Sequence, residues 1–288
     1  AYFFFVASVS LLGSVTMLDA LAGPNGAPTG LRGEIGAAVD GLGTLLACLA
    51  LLPATRALVA RRLPRFRPGS PVHAVALGFY VLLLLVQAGS QITSDQISAL
   101  SHQGSPSVLE IIANNQLPML LVSVAGVGLL VRRNPRQTLG RLGLSWPGWR
   151  GIGAALLVAV LLLFLGIGFD YAMQQLTPQA NREVEQVTQQ LFKSALGNVP
   201  GLLVIGLAAG IGEEIFFRGA LQPVFGLLPA AVLFAALHTQ YGITIATLEI
   251  FVIGLVLGAL RNRAGTLAAI VAHSGYDILV GVLPLVFR

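Results

Sequence analysis

The chain has 288 residues, of which 55% are hydrophobic and only 10% charged, with 17 Lys and Arg against 12 Asp and Glu and a net charge of +5. An ordinary soluble domain carries about 25% charged residues, and a globule of this length lacks the polar surface to cover so large an apolar excess. A soluble enzyme, a disordered chain and a disulfide scaffold are excluded, and the positive charge reads as loop arginines of a membrane protein rather than as a nucleic-acid surface.

A membrane span needs about 20 mostly apolar residues. In chain order the candidates are Tyr2–Leu21, Ile35–Val59, Val72–Ile92, Val108–Val131, Gly151–Met173, Val199–Leu221, Pro229–Gln240, Ile243–Leu260 and Thr266–Phe287. The first run has no basic leader in front of it and reads as a span, not as a cleavable signal peptide. The Pro229 segment is short enough to be a half-span. The predicted fold is therefore all-α, a polytopic transmembrane helix bundle of eight or nine spans. Cys48, the single cysteine, has no partner and reads as a small buried hydrophobe. Asp95–Ser107 is polar and Ser-rich, hence an exposed connection. Within Gln179–Leu196, Val184, Val187, Leu191 and Ala195 form one stripe, with Arg182, Glu183 and Glu185 off it. Thr177-Pro178 supplies a helix start, and the segment is predicted to lie in the membrane interface.

Arginines set the orientation. Arg56, Arg61, Arg62, Arg65 and Arg67 follow the second span; Arg132, Arg133, Arg136, Arg141 and Arg150 follow the fourth; Arg261 and Arg263 follow the eighth. If each segment crosses once, these fall on one side, and the other side receives only Arg32, Arg182, Lys193 and Arg288. The Arg-rich loops are then cytoplasmic, in a multi-pass protein expected in a bacterial inner membrane. The chain divides into residues 1–135, four spans without a recognised motif, and residues 136–288, where the spans hold several ionisable groups.

Ionisable side chains inside spans are costly and mark function by default. The set is Glu213, Glu214 and Arg218 in GEEIFFRG, His238 in FAALH, and His273 and Asp277 in HSGYD. Glu214 and Arg218 are four apart with the acid first, the favourable order for a helical ion pair that supports the site. Glu213 points roughly 100° away and is free to meet another helix. Counted from presumed cytoplasmic ends at Leu221, Pro229 and Gly265, Glu213, His238 and His273 lie about 12–14 Å deep, so a polar cavity opening toward the cytoplasm is expected to hold them. One carboxylate and two imidazoles suit hydrolysis of an amide: the acid takes a proton from water, directly or beside a metal, and an imidazole faces the oxyanion. No H-E-x-x-H pair and no G-x-S-x-G elbow is present, which argues against a zincin and a serine hydrolase.

In these residues the chain resembles the type II CAAX prenyl endopeptidase family, a broad group that also holds abortive-infection, bacteriocin-immunity and lysostaphin-resistance proteins. Its pattern E-E-x-x-x-R, F-x-x-x-H and H-x-x-x-N/D is met by Glu213, Glu214 and Arg218, by Phe234 and His238, and by His273 and Asp277, with a softer likeness in Leu139–Pro147. The resemblance implies an intramembrane endopeptidase with Glu213, His238, His273 and Asp277 catalytic and a peptide or membrane-protein substrate, prenylated in the eukaryotic members. Position 277 is Asp where the prenyl proteases typically carry Asn. An ionised Asp277 is a poor oxyanion donor, so it is protonated, binds a metal or orients His273. Zinc held by Glu213, His238 and His273 and a metal-free glutamate–histidine site both remain open. So do two other functions: a non-catalytic immunity or partner-binding protein of the same fold, and a transporter.

Overall fold

The computed structural model describes residues 30–93, 105–196 and 198–286. The predicted span Tyr2–Leu21 and most of the Asp95–Ser107 connection lie outside them. The described residues are helical: α1 (Gly30–Leu49), α2 (Pro53–Arg62), α3 (Pro71–Thr93), α4 (Val108–Gly126), α5 (Pro135–Leu142), α6 (Gly148–Leu176), α7 (Pro178–Phe192), α8 (Val199–Phe225), α9 (Leu227–Ala236), α10 (Ile245–Ala264) and α11 (Thr266–Val286).

Six of these, α3, α4, α6, α8, α10 and α11, are long and apolar enough to cross a membrane. Of the nine candidate segments, Tyr2–Leu21 lies outside the described residues, and two others differ from full straight spans for local reasons. Ile35–Val59 is not one straight span: Pro53 starts a new helix, where its fixed φ and missing N–H are tolerated, and α2 turns 92° from α1. The bent pair makes at most a seventh span. The segment predicted as Pro229–Gln240 is the 10-residue α9, a half-span of about 15 Å.

Local sequence explains most helix ends. Ser107 and Glu110 form a capping box at the start of α4, and Asn134 and Gln137 form another on α5. Gly143, Gly226 and Gly265 take positive φ at the junctions after α5, α8 and α10. Helix α7 begins at Pro178, as expected, with Val187 buried and Arg182, Glu183 and Glu185 exposed.

The core is built where α8, α9, α10 and α11 meet, around Phe217, Leu233, Leu257 and Ala272. Helices α8 and α11 run antiparallel: Gly206 lies against Asp277 and Ile278, Gly210 against Ser274, and Gly281 against Leu202. At Gly210 a Cβ would collide with Ser274 and stand 2.9 Å from its backbone nitrogen, so the glycine is what permits this approach. Helix α1 packs on α3, with Cys48 half-buried at that contact. Helix α3 is tied to the bundle by Tyr80, whose hydroxyl donates to the Pro229 carbonyl at 3.0 Å.

Two wide, π-helical turns interrupt the long helices, at Ile112–Gln116 in α4 and Ile215–Leu221 in α8. They sit beside the polar residues, as such turns often do. The stretch Leu139–Pro147 clamps the ends of α8 and α11: Arg141 donates to the Gly219 carbonyl at 2.9 Å, and the Thr266 N–H donates to the Gly143 carbonyl at 2.9 Å.

Candidate active site

Glu213 lies near the middle of α8, fourteen residues after Val199 and twelve before Phe225. It shares the lining of one cavity of about 1620 Å³ with His238, His273 and Asp277. His238 follows α9 directly, and its Nδ1 is 2.7 Å from the Phe234 carbonyl, which turns Nε2 toward Glu213. The two side chains approach to 3.9 Å between Nε2 and Oε2. That gap is too long for a direct hydrogen bond and suits a bridging water. Glu213 Oε2 is buried with no hydrogen-bond partner, so an acceptor is aimed at that gap.

His273, on α11, lies between two carboxylates. Its Nδ1 is 2.8 Å from Glu214 Oε1, and its Nε2 is 3.6 Å from Asp277 Oδ2. Glu214 also meets Arg218 Nη1 at 3.0 Å, the predicted helical pair, with both side chains almost wholly buried. Arg218 further donates from Nη2 to the Gly254 carbonyl at 3.3 Å and lies 4.3 Å from the Phe234 ring centre. Phe234 thereby carries a cation on one side and contacts both imidazoles, with ring centres 4.8 Å from His238 and 6.0 Å from His273. Glu214 is therefore more than a counter-ion to Arg218. It holds the inner nitrogen of His273, while Asp277 meets the nitrogen on the cavity side.

One participant is missing from the motif residues. Gln116, at the end of the wide turn of α4, donates from Nε2 to Glu213 Oε1 at 3.3 Å. Gly212 makes room for it, since a Cβ there would stand 2.6 Å from Gln116 Oε1. The signal in the sequence is three successive amides, Asn114, Asn115 and Gln116, inside a mostly apolar span. A hydrogen bond to a charged group contributes roughly 1.5–3 kcal/mol. Gln116→Leu is accordingly expected to lower any activity of the site about 10- to 100-fold with the fold retained, and the turnover rate of the purified variant checks this. Unchanged turnover would reduce the contact to packing.

Among the described residues no trio of His, Cys, Asp or Glu is arranged to hold a metal ion. Glu213 and His238 face each other, but the nearest carboxylates to the two His273 nitrogens are Glu214 and Asp277. The residues as placed do not form a three-ligand zinc site. Ser274 is buried against Gly210 and does not line the cavity, so no serine nucleophile stands beside His273.

The lining residues locate the cavity along the bundle. Its lining comes from the first two-thirds of α4, the end of α6, α7, the first two-thirds of α8 and the last two-thirds of α11, together with Leu237–Tyr241; no residue of 120–169, 218–236 or 242–272 contributes. The lining residues therefore lie toward the end of the bundle opposite the Arg-rich loops. The depth count from Leu221 was compatible with either face, because α8 continues to Phe225 and places Glu213 near mid-helix.

Residues 195–279 match the type II CAAX prenyl endopeptidase Rce1-like family. Over 93 residues, 32% of this chain and 44% of the relative, the sequence is 28% identical to an uncharacterized protein, YpbD, of Bacillus subtilis strain 168. Over 76 residues, 23% of this chain and 35% of the relative, it is 36% identical to an uncharacterized 24.3 kDa protein of Escherichia coli. The matches span less than half the length of either relative. No solved structure matches the chain.

Proposed function

We propose that the chain is an intramembrane endopeptidase that hydrolyses peptide bonds with a glutamate-activated water. The observation that carries this reading is the buried, unpartnered Oε2 of Glu213 facing His238 Nε2 across 3.9 Å. Support also comes from the match of residues 195–279 to a membrane protease family.

Glu213 accepts a proton from a water that His238 Nε2 orients. The water oxygen forms a bond to the scissile carbonyl carbon, and the proton held by Glu213 passes to the departing amine as the C–N bond breaks. His273 has a carboxylate beside each nitrogen, and in this reading it carries both protons. Its Nε2–H is then directed to the cavity side, where the developing oxyanion needs a donor. In this reading Asp277 stays ionised and stabilises the imidazolium, and Glu214 with Arg218 fixes the ring. Gln116 holds Glu213 by its other oxygen, which leaves Oε2 for the water. Bound zinc would supply a Lewis acid and a metal-bound water, but the placement of His273 between Glu214 and Asp277 gives no third ligand, and no step is assigned to it.

Cleavage of a peptide library by the detergent-purified protein, compared with Glu213→Ala, tests the reading. No cleavage by the parent protein would turn the assignment toward a binding or immunity protein of this fold. Incubation with a chelator, followed by metal analysis, is expected to leave cleavage intact. Stoichiometric zinc whose removal abolishes activity and whose return restores it would overturn the metal-free site.

A further inference from the structure

The two faces of the bundle differ in charge and in access. Twelve arginines lie on one face: Arg56, Arg61, Arg62, Arg65 and Arg67 around α2, then Arg132, Arg133, Arg136, Arg141 and Arg150 around α5, then Arg261 and Arg263 at the end of α10. The stretches 50–94, 120–169, 218–236 and 250–272, which build that face and its approaches, contain no Asp or Glu. The other face carries Glu110, Asp170, Glu183 and Glu185 beside Arg182 and Lys193. So one-sided a distribution of basic residues places the Arg-rich face in the cytoplasm.

Access runs the opposite way. On the Arg-rich face the bundle is closed near the site: Leu142 is buried against Gly219, Arg141 holds the Gly219 carbonyl, and Gly143 is bonded to Thr266. On the other face the cavity is open and lined by amides, including Asn114, Asn115, Gln174, Asn181, Gln186 and Gln189. An amide side chain both donates and accepts, so it can pair with the N–H and C=O groups of an extended peptide whatever that peptide's side chains. Four carboxylates and two basic residues around the mouth give no strong pull on an acidic tail.

We propose that the site is served from the extracytoplasmic face, and that its substrates are extended peptide segments of membrane-anchored or exported chains that have already crossed the bilayer. The substrate half of this inference rests on the endopeptidase reading above; the facing of the cavity does not. A tail lipidated in the cytoplasm would meet the closed, arginine-covered end of the bundle, so a prenylated cytoplasmic tail does not fit this chain.

The facing is tested in bacterial cells expressing the full chain in a Cys48→Ser background, with single cysteines introduced as Lys193→Cys near the mouth or Arg150→Cys on the Arg-rich face. Both positions are exposed. With the outer membrane opened and the inner membrane intact, a membrane-impermeant maleimide is expected to label Lys193→Cys fully. Arg150→Cys should stay unlabelled until detergent is added. The reverse pattern, or labelling of both before detergent, would overturn the inference. The substrate half is tested in the same cells with a single-span reporter carrying a peptide that the purified protein cuts, fused to either end. Loss of only the extracytoplasmic copy, abolished by Glu213→Gln, is expected; loss of the cytoplasmic copy would overturn it. Extracytoplasmic labelling without any peptide cleavage by the purified protein would refute the endopeptidase reading, and the substrate class with it, while leaving the facing. Cleavage with the reverse labelling would refute this inference and leave the endopeptidase.

Discussion

Glu213→Gln is expected to lower peptide cleavage by a factor of about 10² to 10⁴, the usual range for loss of a positioned general base. The amide keeps the size of the side chain and can still accept from Gln116, whose Nε2 is 3.3 Å from Oε1 in the parent protein. It cannot take the proton from water. The thermal midpoint of the variant in detergent should therefore stay near that of the parent, which separates chemistry from folding. Cleavage at the parental rate would remove Glu213 from the mechanism.

Arg218→Met should act through stability. Arg218 is 1% exposed and Glu214 0% exposed, so removing the cation strands a carboxylate in the core. Breaking one side of a buried pair in this way costs about 3–5 kcal/mol. The double variant Arg218→Met with Glu214→Gln removes both charges, keeps an acceptor for His273 Nδ1, and should recover most of the loss. Thermal unfolding of the two variants in detergent measures both effects. If Arg218→Met melts with the parent, the pair contributes nothing, and if the double variant is worse than the single one, the stranded charge is not the cause.

The polar residues on α8 and α11 and just after α9 were legible because charge is so rare in these spans that spacing alone pairs Glu214 with Arg218 and brings His273 and Asp277 to one face. Helix α7 was legible for a similar reason: its apolar stripe repeats at 3.6 residues, and Pro178 marks its start. Other features were hidden for physical reasons. Leu49–Pro53 sits inside a continuous apolar window, and hydropathy does not register a proline that starts a second helix at a right angle. Gln116 lies 97 residues from Glu213, and a neutral amide carries none of the cost that makes a buried charge conspicuous. The bond from His273 to Glu214 depends on how α8 and α11 are rotated, which their glycines allow but do not spell. The facing of the cavity is not legible from helical depth, which locates a site along the bundle axis without saying which end is filled by side chains.

The ion pair within α8 has a consequence for how the protein is made. Chain order delivers α8 to the bilayer before α9, α10 and α11 exist, so neither Phe234, the Gly254 carbonyl nor His273 is there to receive its charges. A charged residue at the centre of an inserting helix costs about 2.5–3.5 kcal/mol on translocon scales. With Arg218 one turn from Glu214, α8 brings its own counter-ion and presents a single uncompensated acid, Glu213, to lipid during biogenesis. The later helices then exchange that local neutralisation for the full set of contacts. Glu213 and the pair of Glu214 with Arg218 are thus held on a segment able to wait in the membrane for its neighbours.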